Sequence, residues 1–326
     1  MAFKDLTVDL YDNQIRIEYK DAAHRYYRRN RLGSGLYGPA VLTRGVTTMM
    51  DNVLEKKSLM TWPMGVALRE LFGFYDFDGD NGRVTGFSKG VGALWDVLDG
   101  QRHLRPLSEP EALTAVLDAS KGWTRKQRKG ADIGSIVHDA IEHHIKGQPF
   151  SIAGTYRENF NLKVFENDQD RERELKQIDS DVEKAEMALG AFKQWWAKTS
   201  PELLGAEDLV YSLEMDYCGT FDALLRINGK VVLCDWKTTN ASKKIAPQGV
   251  YYSYFLQLGA YASAWQEMGN GKIDDLLVVS ARKDGGFDTK LASEIGLSVE
   301  DCIKAWRALF ELYKFITSTN RKLIGG

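Results

Sequence analysis

The sequence predicts an α/β (α+β) protein with a largely helical N-terminal half and a core of the order αβββαβ. Apolar residues recur mostly at helical spacing between 46 and 146, whereas three consecutive β-rich stretches begin near residue 204. The predicted core elements are strands at 204–216, 218–227 and 230–238, a helix at 250–268, a strand at 274–282 and a closing helix at 298–317. This order predicts one sheet covered by helices.

The N-terminal residues are predicted to form a β-ribbon followed by helices. Alternating polar and apolar residues indicate strands at 14–19 and 24–28, and the Gly-rich stretch Arg31–Gly45 is typical of a loop. Val46–Trp62 is predicted to be a helix capped by Thr47 or Thr48. Further helices are predicted at 63–71, 89–99, 109–119, 124–146 and about 180–199, with a polar turn at Asp76–Gly82 and a solvated charge-rich stretch at 163–186. We expect residues 1–120 to pack on a core of residues 121–326 as one compact unit.

Composition excludes several protein classes. The 326 residues are 44% hydrophobic and 27% charged, which is ordinary for a soluble globular protein. The net charge of −2 means that a nucleic-acid surface must be local rather than general. The dispersed cysteines Cys218, Cys234 and Cys302 form no CxxC pair and are expected to be buried. With no signal peptide pattern and no apolar run of membrane-spanning length, we expect a cytoplasmic protein.

The candidate site follows from one hairpin. Asn228-Gly229, between two β-rich stretches, predicts a two-residue type I′ turn that pairs Ile227 with Lys230. The same register places Asp222 directly opposite Asp235, as a non-hydrogen-bonded pair with Cα atoms about 4.5 Å apart.

Like charges in such a pair are destabilising, so we expect a bound cation between them. Mg²⁺ commonly uses only one or two protein carboxylates. Lys237, two residues beyond Asp235, projects from the same face and is expected to orient an attacking water. The opposite face, with Phe221, Ala223 and Trp236 among others, is expected to be core. The alternative is an ion-pair network in which Lys237 neutralises both carboxylates at a strand end.

These residues resemble a known family. Asp222 followed by Asp235-Trp236-Lys237 is similar to the PD-(D/E)xK nuclease core in its RecB-like form. Three other motifs occur in the same order as in that family: the helix around His138, an acidic residue at Glu207, and Gln257 with Tyr261 as a QxxxY motif. The N-terminal residues are similar to those of phage-encoded relatives of the mitochondrial genome maintenance exonuclease. The resemblance implies a restriction-endonuclease-like fold, with a mixed central sheet flanked by helices.

The resemblance also implies roles for individual residues. Phosphodiester hydrolysis would be assisted by one or two Mg²⁺ (or Mn²⁺) ions. Relatives of this form often carry four cysteines for an iron–sulfur cluster, whereas the three dispersed cysteines here predict no cluster, and the lack of a Walker A sequence predicts no bound nucleotide. The implied metal ligands are Asp222, Asp235, the Trp236 backbone carbonyl, His138 and Glu207. Gln257 and Tyr261 would hold Lys237 or a substrate phosphate. A strand-edge role for Glu207 and a buried structural pair for Gln257 and Tyr261 remain alternatives, and Glu142 fits either a supporting role or an exposed helix position.

A basic segment with one aromatic residue precedes the His138 helix. Its members suit a phosphate backbone and a stacked base: Lys121, Trp123, Arg125, Lys126, Arg128 and Lys129. Arg25, Arg28, Arg29 and Arg31 form a second candidate patch. We expect a DNA exonuclease that acts on single-stranded DNA or on a free end in replication, recombination or repair, and replication or recombination proteins are its candidate partners. The alternatives are a structure-specific or single-strand endonuclease on the same core, and a non-catalytic DNA-binding protein that retains the fold.

Overall fold

A computed structural model describes residues 5–54, 133–239 and 252–324 apart from a few positions (21, 22, 24, 163, 164 and 166), together with the backbone of four short strands between 75 and 104. The chain divides into two compact units, one of residues 1–54 with 133–326 and the other of residues 55–132. Residues 1–54 therefore belong with the core, whereas the predicted domain boundary at residue 120 stays a prediction. None of the helices in the described residues is long and apolar enough to cross a membrane.

Among the described residues, the strands come in consecutive groups that helices separate. The strands are β1 (Leu6–Leu10), β2 (Ile15–Lys20), β3 (Arg25–Asn30), β4 (Val41–Gly45), β5 (Tyr75–Asp78), β6 (Arg83–Phe87), β7 (Trp95–Leu98), β8 (Gln101–Leu104), β9 (Glu202–Ser212), β10 (Tyr217–Ile227), β11 (Lys230–Thr239), β12 (Asp275–Arg282) and β13 (Phe287–Leu291). The helices are α1 (Val46–Val53), α2 (described over 133–145), α3 (Ile152–Leu162), α4 (Asp168–Leu175), α5 (Ile178–Thr199), α6 (Tyr252–Glu267) and α7 (Val299–Ile324).

One mixed sheet organises the larger unit. Its described strands follow the order β1-β2-β3-β4-β10-β11-β12-β13, and β9 pairs with β10. The pairings of β4 with β10 and of β11 with β12 are parallel, whereas β9 and β11 each pair with β10 in the antiparallel sense. In the smaller unit, β5 pairs with β6 and β7 with β8 as antiparallel hairpins. The expectation of a mixed central sheet flanked by helices is confirmed.

Helices cover both faces of this sheet. On one face, α1, α6 and α7 form a layer whose apolar residues pack on Leu224, Leu233 and Val278. On the other face, α2, α3 and α5 form a layer whose apolar residues pack on Leu225 and Trp236. Because β11 is buried on both faces, its sequence is a nearly continuous apolar run in which Asp235 is an exception.

The predicted hairpin between β10 and β11 is confirmed. Asn228 and Gly229 both have positive φ, 50° and 80°, as a type I′ turn requires. Ile227 pairs with Lys230, and the predicted register continues to Ala223 opposite Cys234. Beyond that pair the ladder stops, one step before Asp222 would meet Asp235.

One predicted face is wrong. Phe221 was expected beside Ala223 and Leu225, yet it packs with Leu224 in the α6–α7 layer. The cause is an irregularity in β9 and β10: Glu207 has a left-handed φ of 56°, and Asp222, which lies opposite it in register, has no ladder partner in the described strands. Such irregularities shift the alternation of side chains and are frequent beside active sites.

The N-terminal residues contain more strand than the pattern predicted. The ribbon at 14–19 and 24–28 is confirmed as β2 and β3, but β1 and β4 extend it, and β4 lies in the stretch predicted to be a loop. Helix α1 starts at Val46 as predicted, but its N-cap is Gly45, without a side-chain cap. The predicted helix at 89–99 is wrong over Trp95–Leu98, which is β7. The predicted helices at 63–71 and 109–119 lie outside the described residues, as do residues 55–62 of the first.

Candidate active site

A gap along one edge of β10 forms the site. On that edge β4 pairs with Tyr217 and Cys218, and β11 pairs from Ala223 onward. Between these two ladders, residues 219–222 have no strand partner on that edge among the described residues. Asp222 is the last residue of this gap, and β11 brings Asp235 and Lys237 to the same place.

The Asp222 carboxylate itself ends the β10–β11 ladder. Its Oδ2 accepts a hydrogen bond of 2.5 Å from the backbone N–H of Trp236. In the predicted register that N–H would have donated to the Phe221 carbonyl, so the side chain replaces a ladder bond. The two strands therefore separate at the level of the carboxylates, and room opens between them.

Asp235 is almost fully enclosed, with 2% of its surface exposed. Its Oδ2 lies 2.6 Å from Lys237 Nζ. Apart from this ion pair, the oxygen has no polar partner among the described groups. A buried carboxylate oxygen with unused lone pairs is the kind of ligand that a hard cation takes.

A chain of contacts from α6 fixes Lys237. Its Nζ donates to Gln257 Oε1 at 3.3 Å, and Gln257 Nε2 donates to the Tyr261 hydroxyl at 2.8 Å. The Tyr261 ring packs so closely on Gly219 that a Cβ there would lie 2.3 Å from the ring. The Lys237 ammonium also lies 4.9 Å from the centre of the Tyr254 ring. The QxxxY motif thus connects the lysine to the glycine of the gap.

His138 reaches the carboxylates from α2, in the opposite helix layer. Its Nδ1 lies 3.9 Å from Asp222 Oδ1. Burial, followed by the positive charge of Lys237, lowers the pKa of His138 to about 4. The imidazole is consequently neutral at pH 7, the form that can ligate a metal or accept a proton from water.

The two carboxylates are electrostatically strained without a cation. Burial raises the pKa of Asp222 to about 6, although the charge of Lys237 and the Trp236 N–H lower it. Burial also raises the pKa of Asp235 to about 6, Lys237 lowers it, and the charge of Asp222 raises it further. Lys237 therefore does not neutralise both carboxylates, which disfavours a purely structural ion-pair network.

The predicted metal ligands are only partly brought together. Within the described residues, no three side chains of the types His, Cys, Asp and Glu converge as a ready-made metal cage. Asp222, Asp235 and the Trp236 backbone meet at the gap, with His138 beside them. This set fits an ion such as Mg²⁺, which keeps several waters and needs few protein ligands.

Glu207 lies opposite Asp222 in the β9–β10 register, between Asp208 opposite Phe221 and Ala206 opposite Ala223. Its left-handed backbone costs about 1 kcal/mol or more for a residue with a Cβ. Its carboxylate lies close enough to Tyr26 to contribute to raising the pKa of that phenol to about 12, an effect due mainly to burial. Strain of this kind is concentrated at functional sites.

The remaining predictions concern Glu142 and two basic patches, and their outcomes differ. Glu142 is buried and paired with Lys146 at 2.7 Å, so it is not an exposed helix residue. Arg28 pairs with Asp216 and Arg29 with Glu18, which commits half of the second arginine patch to internal contacts. The basic segment lies outside the described residues: Lys121, Trp123, Arg125, Lys126, Arg128 and Lys129.

The comparisons with known proteins identify the family. The protein-family model of the PD-(D/E)XK nuclease superfamily matches residues 112–312, which are well over half of the chain. The chain belongs to the PD-(D/E)XK nuclease superfamily. Among solved structures, the crystal structure of SSO0001 is similar at 14% identity, covering 49% of this chain and 84% of that one with a TM-score of 0.26. No curated protein sequence matched the chain.

Membership of this superfamily indicates the usual class of metal and substrate. Superfamily members usually use divalent metal ions such as Mg²⁺, and DNA is the substrate implied by the family.

Two residues that contact the chain of Lys237, Gln257 and Tyr261 were not predicted from the sequence: Tyr254 and Gly219. Tyr254 precedes Gln257 by three residues, which places both on one face of α6. Gly219 stands three residues before Asp222, and the need for glycine appears only once Tyr261 is seen against it.

Proposed function

We propose that this superfamily member is a metal-dependent DNA exonuclease of the RecB-like branch, phage-encoded, that acts in DNA replication, recombination or repair. One observation carries the proposal: the buried Asp235 and the largely enclosed Asp222 lie together where β10 and β11 separate, with Lys237 held beside them by α6. An arrangement that keeps two enclosed carboxylates close and incompletely neutralised is expensive for a protein that only binds DNA. It suits an enzyme that binds a cation there.

Each residue at the gap has a definite task in this proposal. Asp222, Asp235 and the Trp236 carbonyl hold Mg²⁺ or Mn²⁺, with His138 and Glu207 as further ligands directly or through water. A bound ion supplies charge stabilisation at the phosphate and lowers the pKa of water. Lys237 orients the attacking water by hydrogen bonding. Gln257 and Tyr261 position Lys237, since its ammonium group donates to Gln257, which in turn donates to the Tyr261 hydroxyl.

Substrate binding is assigned to the basic segment upstream of α2. Its cations and single tryptophan provide phosphate contacts and a stacking surface: Lys121, Trp123, Arg125, Lys126, Arg128 and Lys129. This segment leads directly into α2, which carries His138 to the carboxylates.

A comparison of linear and closed circular DNA tests the function. We expect Mg²⁺-dependent release of nucleotides from end-labelled linear DNA, no release in EDTA, and no cutting of closed circles of either single- or double-stranded DNA. Cutting of closed circles would show that the protein is an endonuclease and would refute the exonuclease proposal. Single- and double-stranded substrates labelled at either end define strand preference and polarity in the same time course.

Paired aspartate variants connect that activity to the site. Asp235→Asn removes a buried carboxylate at the gap, and we expect activity to fall by at least about a hundredfold, as for loss of electrostatic stabilisation at a reaction centre. Asp274→Asn is the matched control, because Asp274 lies in the loop before β12 and accepts a bond from the Val231 N–H. Equal activity of Asp235→Asn and the parent would exclude this site.

A further inference from the structure

The Lys237 ammonium is enclosed on three sides by groups of different chemistry. Asp235 Oδ2 lies 2.6 Å away, Gln257 Oε1 lies 3.3 Å away, and the centre of the Tyr254 ring lies 4.9 Å away. Only 21% of the lysine side chain is exposed. Asp235 and Gln257 belong to the β11 and α6 parts of the site already described, whereas Tyr254 has no role in the proposed reaction.

Tyr254 sits where α6 can reach the lysine. Residues 254, 257 and 261 follow helical spacing and share one face of α6. Gln257 and Tyr261 on that face contact each other, and Gln257 contacts Lys237. Tyr254 is half-buried and packs against the apolar layer formed by α1, α6 and α7. The helix therefore places an aromatic ring against the ammonium group.

We propose that Tyr254 is a positioning residue for Lys237, whose ring face holds the ammonium between Asp235 and Gln257. A protonated lysine has three N–H donors. Asp235 and Gln257 each provide an oxygen for one of them. An aromatic face attracts the cation through its quadrupole. The ring thereby fixes the ammonium while one N–H is left for a water or a phosphate oxygen.

The proposal rests on the nuclease function proposed above, so its first test measures DNA hydrolysis. A cation–π contact contributes about 0.5–2 kcal/mol, which corresponds to a roughly 2- to 30-fold change in rate. We expect Tyr254→Leu to lower kcat by about this factor while KM and the thermal midpoint stay near those of the parent. Tyr254→Phe keeps the aromatic face and is expected to retain parental kcat to within about twofold. Tyr252→Leu is the control, because Tyr252 is 70% exposed and lies on another face of the same helix.

Fluorinated phenylalanines at position 254 separate ring electronics from ring shape. Successive fluorination weakens the negative face of the ring with little change in size, so kcat is expected to fall stepwise along the series. A merely structural role would leave kcat unchanged across the series. A flat series, or a Tyr254→Leu variant with parental kcat, would overturn the proposal.

A readout without DNA distinguishes this proposal from the nuclease function. In the parent, the Tyr254 ring current should shift the side-chain resonances of Lys237 in NMR spectra of lysine-labelled protein, with Lys237→Gln providing the assignment. Loss of that shift in Tyr254→Leu supports the contact even if the parent does not hydrolyse DNA, in which case only the proposed function fails. An unchanged Lys237 spectrum in Tyr254→Leu refutes the contact whatever the activity.

Discussion

Neutralising Asp222 is expected to stabilise the metal-free protein while it removes activity. Asp222→Asn deletes the buried negative charge but keeps an oxygen that can accept the Trp236 N–H. The native pKa of Asp222 is about 6, raised mainly by burial, against an ordinary value of 3.8. Charging this carboxylate in the folded protein is therefore unfavourable, and the asparagine avoids that cost.

The sign and size of this stability difference follow from the pKa of Asp222. Between about pH 4 and pH 6 the folded protein keeps a proton on Asp222 that the unfolded chain has released, so stability falls as the pH rises through this window. Above pH 6 the loss is complete. A shift of about two units corresponds to about 3 kcal/mol at 1.36 kcal/mol per unit. We expect Asp222→Asn to exceed the parent by up to about this amount at pH 8, a rise in Tm on the order of 5 °C.

Thermal unfolding in EDTA at several pH values measures this difference. The variant and the parent should converge below pH 4, and the gap between them should open from pH 4 to pH 6. Asp274→Asn gives the opposite sign, because the Val231 N–H and then Lys272 lower the pKa of Asp274 and its charge is favourable when folded. Mg²⁺ should stabilise the parent at pH 8 and leave Asp222→Asn nearly unchanged. If Asp222→Asn were no more stable than the parent at pH 8 in EDTA, the account of an uncompensated carboxylate would be wrong.

Two further substitutions test the surroundings of the gap. Gly219→Ala would place a Cβ 2.3 Å from the Tyr261 ring, so it should lower the free energy of unfolding by about 1–3 kcal/mol in denaturant titration. Gly190→Ala is the control and should raise the free energy of unfolding slightly, because no heavy atom lies within 4 Å of the added Cβ. Equal effects of the two substitutions would refute the close packing. Glu207→Asn should retain or raise Tm, because asparagine tolerates the left-handed backbone of that position. The same substitution should lower nuclease activity by about tenfold or more if the carboxylate serves the site opposite Asp222. Full activity of the variant would make Glu207 a strand-edge residue.

The hairpin was predictable because its information is local. Asn228-Gly229 fixes the turn type, and the turn type fixes the register, so five successive pairs followed from the sequence. Strands β1, β4 and β13 were missed because a five-residue stretch is too short to show a decisive alternation of polar and apolar residues. Strands β1 and β13 pair with their sequence neighbours β2 and β12, whereas β4 also pairs with the remote β10.

The assembly of the site could not follow from that register alone. A regular hairpin places Asp222 opposite Asp235 at the closest distance, but the structure separates the strands just there, because the Asp222 carboxylate captures the Trp236 N–H. The separation lets His138 approach Asp222 from α2 while Lys237 is held from α6, so groups from opposite faces of the sheet meet at one gap. A pattern of residues predicts which groups carry charge. Which of them meet depends on a broken ladder bond, and that break opens the space in which we propose that a cation binds between the two like charges.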